Sequence, residues 1–167
     1  MLTPFSAQYS SKRDKESSAS DEDFKYISTN KLNIIKIRKC HGKEDYDGID
    51  FDGTLSDGSH ITIQKKALEY KNYDTVTITE KEYQSCKYKE IDILFHCYYK
   101  RDDPKKIIKY CILDMQTFLN LIFKFRKKNN KKSTNTSFVY LNYYNIKKHK
   151  KKTYFETYHE KTVITDI

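Results

Sequence analysis

The four glycines of this 167-residue chain all fall between positions 42 and 58. Glycine allows tight turns and close approach of backbone segments, so the sharpest changes of chain direction are expected there. An acidic, strand-like step from Gly48 to Asp52 precedes a Gly-rich turn, and a β-branched run from Ile61 to Ile63 follows it. This order predicts a β-hairpin.

The hairpin would place several polar side chains on one surface. Because successive strand residues point to opposite faces, Asp50 and Asp52 share a face, and so do Gln64 and Lys66. Pairing of the two strands could gather carboxylates, an amide and an ammonium group at one spot. Those groups suit a divalent metal ion and a phosphate. In the simpler interpretation, the aspartates are turn residues and Lys66 is an exposed strand lysine.

Length and composition limit the class of protein. A chain of 167 residues, with 37% hydrophobic and 33% charged residues, is typical of one soluble domain with its own core. No stretch is apolar enough to span a membrane, and the first residues lack the hydrophobic region of a signal peptide. Four cysteines without paired spacing indicate the cytoplasm or another reducing intracellular compartment: Cys40, Cys86, Cys97 and Cys111.

The chain divides into a leader and one domain. Residues 1–22 are rich in serine and charge, which predicts a disordered leader that ends in a short helix near Asp21 to Tyr26. Residues 23–167 are expected to form a single domain with a basic C-terminal part.

The apolar pattern of that domain predicts about seven strands and two to three helices. Besides the hairpin, strands are expected over residues 32–40, 75–79, 91–99, 107–113, 137–146 and 153–158. Thr79 and Glu82 form a capping box that starts a short helix, and Asp114 can cap one long helix. We therefore expect an α/β or α+β domain in which helices flank a central mixed sheet.

The net charge of +9 is concentrated in one segment. Between Lys124 and Lys152 there are eleven basic residues and no acidic one, while the other 21 basic and 23 acidic residues nearly cancel. Basic groups beside a phosphate backbone release counterions, and tyrosines between the two clusters can stack on unpaired bases. The segment favours DNA, or alternatively RNA, as partner, although lysine runs are also common on solvated surfaces. The candidate contacts are Arg126, Lys127, Lys128, Lys131, Lys132, Lys147, Lys148, Lys150, Lys151 and Lys152.

One short segment resembles a phosphatase motif. The residues from Asp50 to Leu55 (DFDGTL) are similar to the first motif of the haloacid dehalogenase superfamily, phosphatases with an aspartate nucleophile. The resemblance implies that Asp50 ends a buried parallel strand, which is normally a continuous apolar run. The residues from Glu44 to Ile49 are mostly polar, so this alternative is the less favoured one.

A longer pattern resembles the core of PD-(D/E)XK nucleases. The step Gly48-Ile49-Asp50, a turn, and a strand ending in Ile63-Gln64-Lys65-Lys66 are most similar to the branch with Gln in place of the acid, as in Mrr-type restriction endonucleases. The order of the downstream strands and helices is also similar. The resemblance implies a restriction-endonuclease-like fold.

The same resemblance implies roles for individual residues. Asp50 would be the main ligand of Mg²⁺ (or Mn²⁺), helped by Gln64, with Asp52 as a second candidate ligand. Lys66 would activate the attacking water, which makes Asp50, Gln64 and Lys66 the catalytic candidates. Glu22, on the predicted N-terminal helix, could add a further acid. Gln64 is neutral and would weaken metal binding.

These patterns favour a metal-dependent endonuclease that hydrolyses phosphodiester bonds in DNA. The main alternative is a nucleic-acid-binding protein of the same fold, of viral or phage type, that has lost catalysis. A phosphatase that uses Asp50 is the third reading. No membrane partner is expected, and a homodimer is left open.

Overall fold

The fold is seen in a computed structural model of the chain. The structure describes residues 18–41, 49–71, 75–87, 90–129, 138–142, 153–159 and 162–164. These ranges contain helices α1 (Asp21–Leu32), α2 (Glu80–Lys87) and α3 (Met115–Asn129). They also contain strands β1 (Ile34–Lys39), β2 (Phe51–Leu55), β3 (His60–Glu69), β4 (Thr75–Thr79), β5 (Ile93–Lys100), β6 (Asp103–Asp114), β7 (Phe138–Asn142), β8 (Thr153–His159) and β9 (Thr162–Ile164). None of these helices has the length and apolar character needed to cross a membrane.

Seven strands form one mixed sheet in the order β1-β2-β3-β5-β6-β8-β9, while β4 pairs with β7 separately. Neighbours in the large sheet are antiparallel except β3 and β5, which run parallel. A parallel pair needs a crossover, and this one contains β4 and α2. The predicted α+β class, with helices flanking a central mixed sheet, is confirmed.

One side of the sheet, which we call the α1 face, packs against helix α1. Phe24 and Ile27 of the helix are buried against strand residues that include Phe51, Ile63 and Phe95. The ring centroid of Phe24 lies 4.3 Å from that of Phe51 and 4.7 Å from that of Phe95. Burial of these rings holds the helix on the sheet.

The opposite side, which we call the α2 face, packs against α2, α3 and β4. Tyr83 of α2 and Phe118 of α3 are buried with Ile78 of β4 and with Leu94 and Leu113 of the sheet. Because side chains alternate along a strand, a central strand covered on both faces is buried throughout. Strand β5 fits this rule, since every residue from 94 to 99 is buried.

Two glycines of the hairpin region have clear structural reasons. Gly58, in the turn between β2 and β3, has a φ of 84°, a conformation that other residues rarely adopt. Gly53 lies under Ile34, and a Cβ atom at position 53 would come within 2.9 Å of the Ile34 Cδ1 atom. The predicted hairpin is confirmed, but its first strand is Phe51–Leu55 and not the expected step from Gly48 to Asp52. Gly53 therefore lies in the strand, and the turn follows Leu55.

The two predicted capping motifs are also present. The Glu82 backbone N–H donates to Thr79 Oγ1 (3.1 Å), and the Thr79 N–H donates to Glu82 Oε1 (3.3 Å). Asp114 Oδ2 accepts a hydrogen bond from the Thr117 N–H (3.0 Å). These contacts start α2 directly after β4 and α3 directly after β6.

Several boundaries differ from the sequence prediction. Helix α1 extends to Leu32, well beyond the short helix expected, while residues 1–17 of the predicted leader lie outside the described residues. Strand β6 starts at Asp103, so the turn expected from Arg101 to Pro104 is only two residues long. Pro104 lies second in the strand, where a proline disturbs few ladder hydrogen bonds. The three-residue strand β9 was not predicted, because so short a segment cannot show the alternation of apolar and polar residues that indicates a strand.

Candidate functional site

Asp50 lies directly before β2 and beside the strand that carries the other candidates. The pairing of Phe51 with Ile63 places Asp50 next to Gln64. The Asp50 N–H donates to the Ile63 carbonyl oxygen (3.0 Å), and Asp50 Oδ2 accepts from the Lys65 N–H (2.7 Å). The carboxylate is therefore fixed by the backbone of β3.

Gln64 is on the α2 face, where it meets helix α2. The Cys86 thiol donates a hydrogen bond to Gln64 Oε1 at 2.9 Å. Cys86 is buried and Gln64 is half-buried. One of the two lone pairs of the amide oxygen is thus taken by a donor within the protein.

Lys66, two residues along β3, forms an ion pair with the same helix. Its Nζ atom donates to Glu82 Oε1 at 2.8 Å, and the side chains of Lys66 and Glu82 are 15% and 26% exposed. Burial raises the pKa of Glu82, but the charge of Lys66 and the hydrogen bonds from Lys66 and Thr79 outweigh it. The pKa of Glu82 therefore lies below its ordinary value, and an ionised carboxylate balances the charge of Lys66.

Glu82 is the residue at this site whose contact sequence reasoning missed. The sequence assigned it only to the capping box, and the structure gives it Lys66 as a second partner. The signal that could have found it is the spacing of Glu82 and Cys86, because residues four apart share one face of a helix. That face meets Gln64 and Lys66 across the gap between helix and sheet.

Asp52 contacts a histidine and an arginine side chain. Its Oδ2 atom lies 3.1 Å from His60 Nδ1 and 3.7 Å from a terminal guanidinium nitrogen of Arg38. The carboxylate is 19% exposed, so both partners cover it from the solvent side. Asp52 is on the same face as Asp50 by strand alternation, but it contacts His60 and Arg38, whereas the Asp50 carboxylate contacts the backbone of β3.

His96 on β5 lies beside Lys66 in the parallel ladder and is fully buried. Its Nε2 atom accepts a hydrogen bond from the Thr77 N–H at 3.1 Å, which ties β4 to the sheet. Burial, with a smaller contribution from the charge of Lys66, lowers the pKa of His96 to about 3. The imidazole is therefore a neutral structural link at neutral pH.

Lys65 belongs to the α1 face, whereas its two sequence neighbours, Gln64 and Lys66, are on the α2 face. Its Nζ atom contacts Asp21 Oδ1 (2.7 Å) and Ser20 Oγ (2.6 Å), and it lies 5.7 Å from the Phe24 ring centroid. The helix acid that reaches β3 is thus Asp21, whereas Glu22 is exposed.

The metal prediction gains no ligand cluster. Within the described ranges, the structure has no group of three or more His, Cys, Asp or Glu side chains placed to hold a metal ion. The Mg²⁺ (or Mn²⁺) site therefore stays a prediction.

The predicted nucleic-acid contacts fall mostly beyond what the structure describes. Arg126, Lys127 and Lys128 lie in the last turns of α3, where only the backbone is described. The other candidates lie outside the described residues: Lys131, Lys132, Lys147, Lys148, Lys150, Lys151 and Lys152.

Comparison with known proteins adds no relative. Neither a scan of protein-family models nor a search of curated proteins finds a match to this chain.

Proposed function

We propose that this chain is a nucleic-acid-binding domain that does not cleave its partner. The observation that carries the proposal is the segregation of charge: eleven basic residues and no acid between Lys124 and Lys152, on a chain that is otherwise nearly neutral. Such a segment binds a phosphate backbone through counterion release, without any need for a catalytic site.

The fold supports this proposal by the way it anchors the basic segment. Helix α3 carries the first basic residues, and its start is buried against the sheet through Met115, Phe118 and Ile122. Strand β7, between the two clusters, pairs with β4, and β8 follows the second cluster and pairs with β6. Both clusters are therefore bounded by elements that belong to the folded domain.

The contacts of the predicted catalytic residues support the absence of cleavage. Catalysis of phosphodiester hydrolysis would need the Lys66 ammonium group near the reacting phosphate and the Gln64 oxygen at the metal ion. Lys66 is paired with Glu82 and Gln64 with Cys86, both on a helix that packs over them. Cleavage would require Lys66 to leave Glu82, so substrate binding would have to supply the modest free energy of this partly exposed ion pair.

A metal-dependent nuclease is the second candidate, and one observation favours it. Asp50 lies beside Gln64 on adjacent antiparallel strands, and Lys66 follows on the same face, which is the arrangement that the PD-(D/E)XK resemblance implies. In this case Glu82 would be the acid that compensates for the neutral Gln64.

One experiment separates the two candidates. The full-length protein is titrated into labelled single-stranded and duplex DNA, and into RNA of the same sequence, over a range of salt concentrations with Mg²⁺, with Mn²⁺ and with EDTA. We expect salt-dependent binding that is insensitive to the metal, and intact oligonucleotides on a denaturing gel. Metal-dependent cutting that is lost in Lys66→Ala and in Asp50→Ala would establish the nuclease instead. Absence of binding under all conditions would reject both candidates.

A further inference from the structure

The α2 face is not uniform, because its β1–β3 end presents charged side chains to solvent. Lys36 and Arg38 of β1 pair in register with Thr54 and Asp52 of β2, and Thr54 in turn pairs with His60 of β3. Residues opposite each other in an antiparallel ladder share a face. Lys36, Arg38 and His60 therefore lie on one side of the sheet, and all three are exposed. We call these three residues the β1–β3 patch.

Asp52 contacts two members of this patch, His60 and Arg38. An ionised carboxylate only accepts hydrogen bonds, so His60 Nδ1 donates to Asp52 Oδ2 (3.1 Å) and its Nε2 atom remains on the far side of the ring. The guanidinium group of Arg38 lies 3.7 Å from the same oxygen. The side chains of His60 and Arg38 are 61% and 51% exposed, against 19% for Asp52. The His60 ring and the Arg38 guanidinium group thus lie outward of the carboxylate.

We propose that the β1–β3 patch is a phosphate-contacting surface for the nucleic-acid backbone, in addition to the basic segment. This inference rests on the proposed function. The guanidinium fork of Arg38 matches two phosphate oxygens, and Lys36 adds a point charge on the same face of the sheet.

Acidic groups near the patch limit the path that a bound nucleic-acid backbone can take. Asp92 and Glu90 are exposed on the β5 side, where Asp92 Oδ2 accepts from the Thr62 N–H (2.9 Å) and the Glu90 carbonyl accepts from Thr62 Oγ1 (3.1 Å). Asp57 is exposed in the β2–β3 turn. A polyanion is repelled by these carboxylates, so the backbone follows β1 at the edge of the sheet and does not cross towards β5.

The test compares a double variant of the patch with a control variant at a distant arginine. In the first variant, Lys36→Gln and Arg38→Gln are combined. The control is Arg101→Gln, an 87% exposed arginine that contacts Glu69 at the other end of β3, about 30 Å from His60 by strand rise. Binding of the labelled oligonucleotides is measured at several salt concentrations with full-length protein. We expect the double variant to bind about tenfold more weakly and to lower the salt slope by about two, roughly one per lost phosphate contact, while Arg101→Gln leaves both unchanged.

The outcomes distinguish this inference from the function on which it rests. If the wild-type protein binds and the double variant binds equally well, the patch makes no contact and the basic segment alone carries the affinity. If the wild-type protein binds nothing, the proposed function itself fails. Thermal unfolding followed by circular dichroism checks that the double variant is folded. The single variant Arg38→Lys keeps the charge but not the guanidinium fork. It should retain much of the wild-type salt slope but not the full affinity.

Discussion

Lys65 and Lys66 are neighbours in sequence, and they show how differently the two faces of the sheet are built. Lys65, on the α1 face, has a side chain that is 3% exposed and contacts Asp21, Ser20 and the ring of Phe24. Lys66, on the α2 face, has a side chain that is 15% exposed and contacts Glu82. The first lysine joins a helix to a closed core, while the second lies in a polar, partly open layer.

This difference indicates where the molecule can tolerate change. On the α1 face the Lys65 side chain is 3% exposed beside the Phe24 ring, and its partner Asp21 also pairs with Lys39 at 2.8 Å. Loss of the Lys65 ammonium group therefore removes enclosed hydrogen bonds to Asp21 and Ser20 that water does not readily replace. On the α2 face the cluster around Gln64 and Lys66 has some access to solvent, which can replace a lost partner. Three predictions test how real the difference is.

The largest effect is expected from Lys65→Met. The change removes the ammonium group that binds Asp21 and Ser20, and we expect the free energy of unfolding to fall by about 3 kcal/mol. The matched control is Lys66→Met, for which we expect a loss of about 1 kcal/mol. Urea denaturation of both variants gives the comparison. Equal losses would mean that the two faces do not differ in the way their exposures suggest.

A smaller effect is expected from the titration of His96. Its pKa is about 3 in the folded protein and 6.5 as the ordinary value, so the folded state binds fewer protons between these pH values. Stability is complete above pH 6.5 and falls as the pH decreases, by about 2 kcal/mol at pH 5. Unfolding midpoints measured across this range should show the decrease in wild type. In His96→Gln, whose amide can still accept from Thr77, the decrease should be absent, and its persistence would assign the slope to another group.

The smallest effect is expected from Glu82. Its folded-state pKa lies below the ordinary value of 4.5, so its ion pair stabilises the protein above that pH. The contribution is lost as the pH falls through the lowered folded-state pKa. The difference in unfolding free energy between wild type and Glu82→Gln should therefore shrink in acid. A difference that is independent of pH would show that Glu82 acts through packing and capping alone.

The sequence predicted local structure well because the signals were local. The capping box of Thr79 and Glu82, the cap at Asp114 and the hairpin around Gly58 all depend on residues close in the chain. The bounds of β4 were also predicted correctly, since its period of two is bordered by that capping box.

The partners of the candidate residues could not be predicted in the same way. Which acid meets Lys66 depends on where the crossover returns α2 to the sheet, and the pairing of His60 with Asp52 depends on strand register. Similarly, nothing local to Lys65 indicates that Asp21, 44 residues away, is its partner. These contacts depend on tertiary packing, and no short segment of the sequence predicts them.

The one parallel pairing seen in the described residues, between β3 and β5, has a consequence for how the chain folds. Strands β1 to β3 form a meander and β5 with β6 form a hairpin, so each unit closes over short stretches of chain. Joining them requires β4 and α2 to be placed on the α2 face first, and closing this longer connection costs more chain entropy than closing either local unit. We therefore expect two early folding units and a late, rate-limiting step at the β3–β5 seam, so substitutions at this seam should slow folding more than substitutions in the meander.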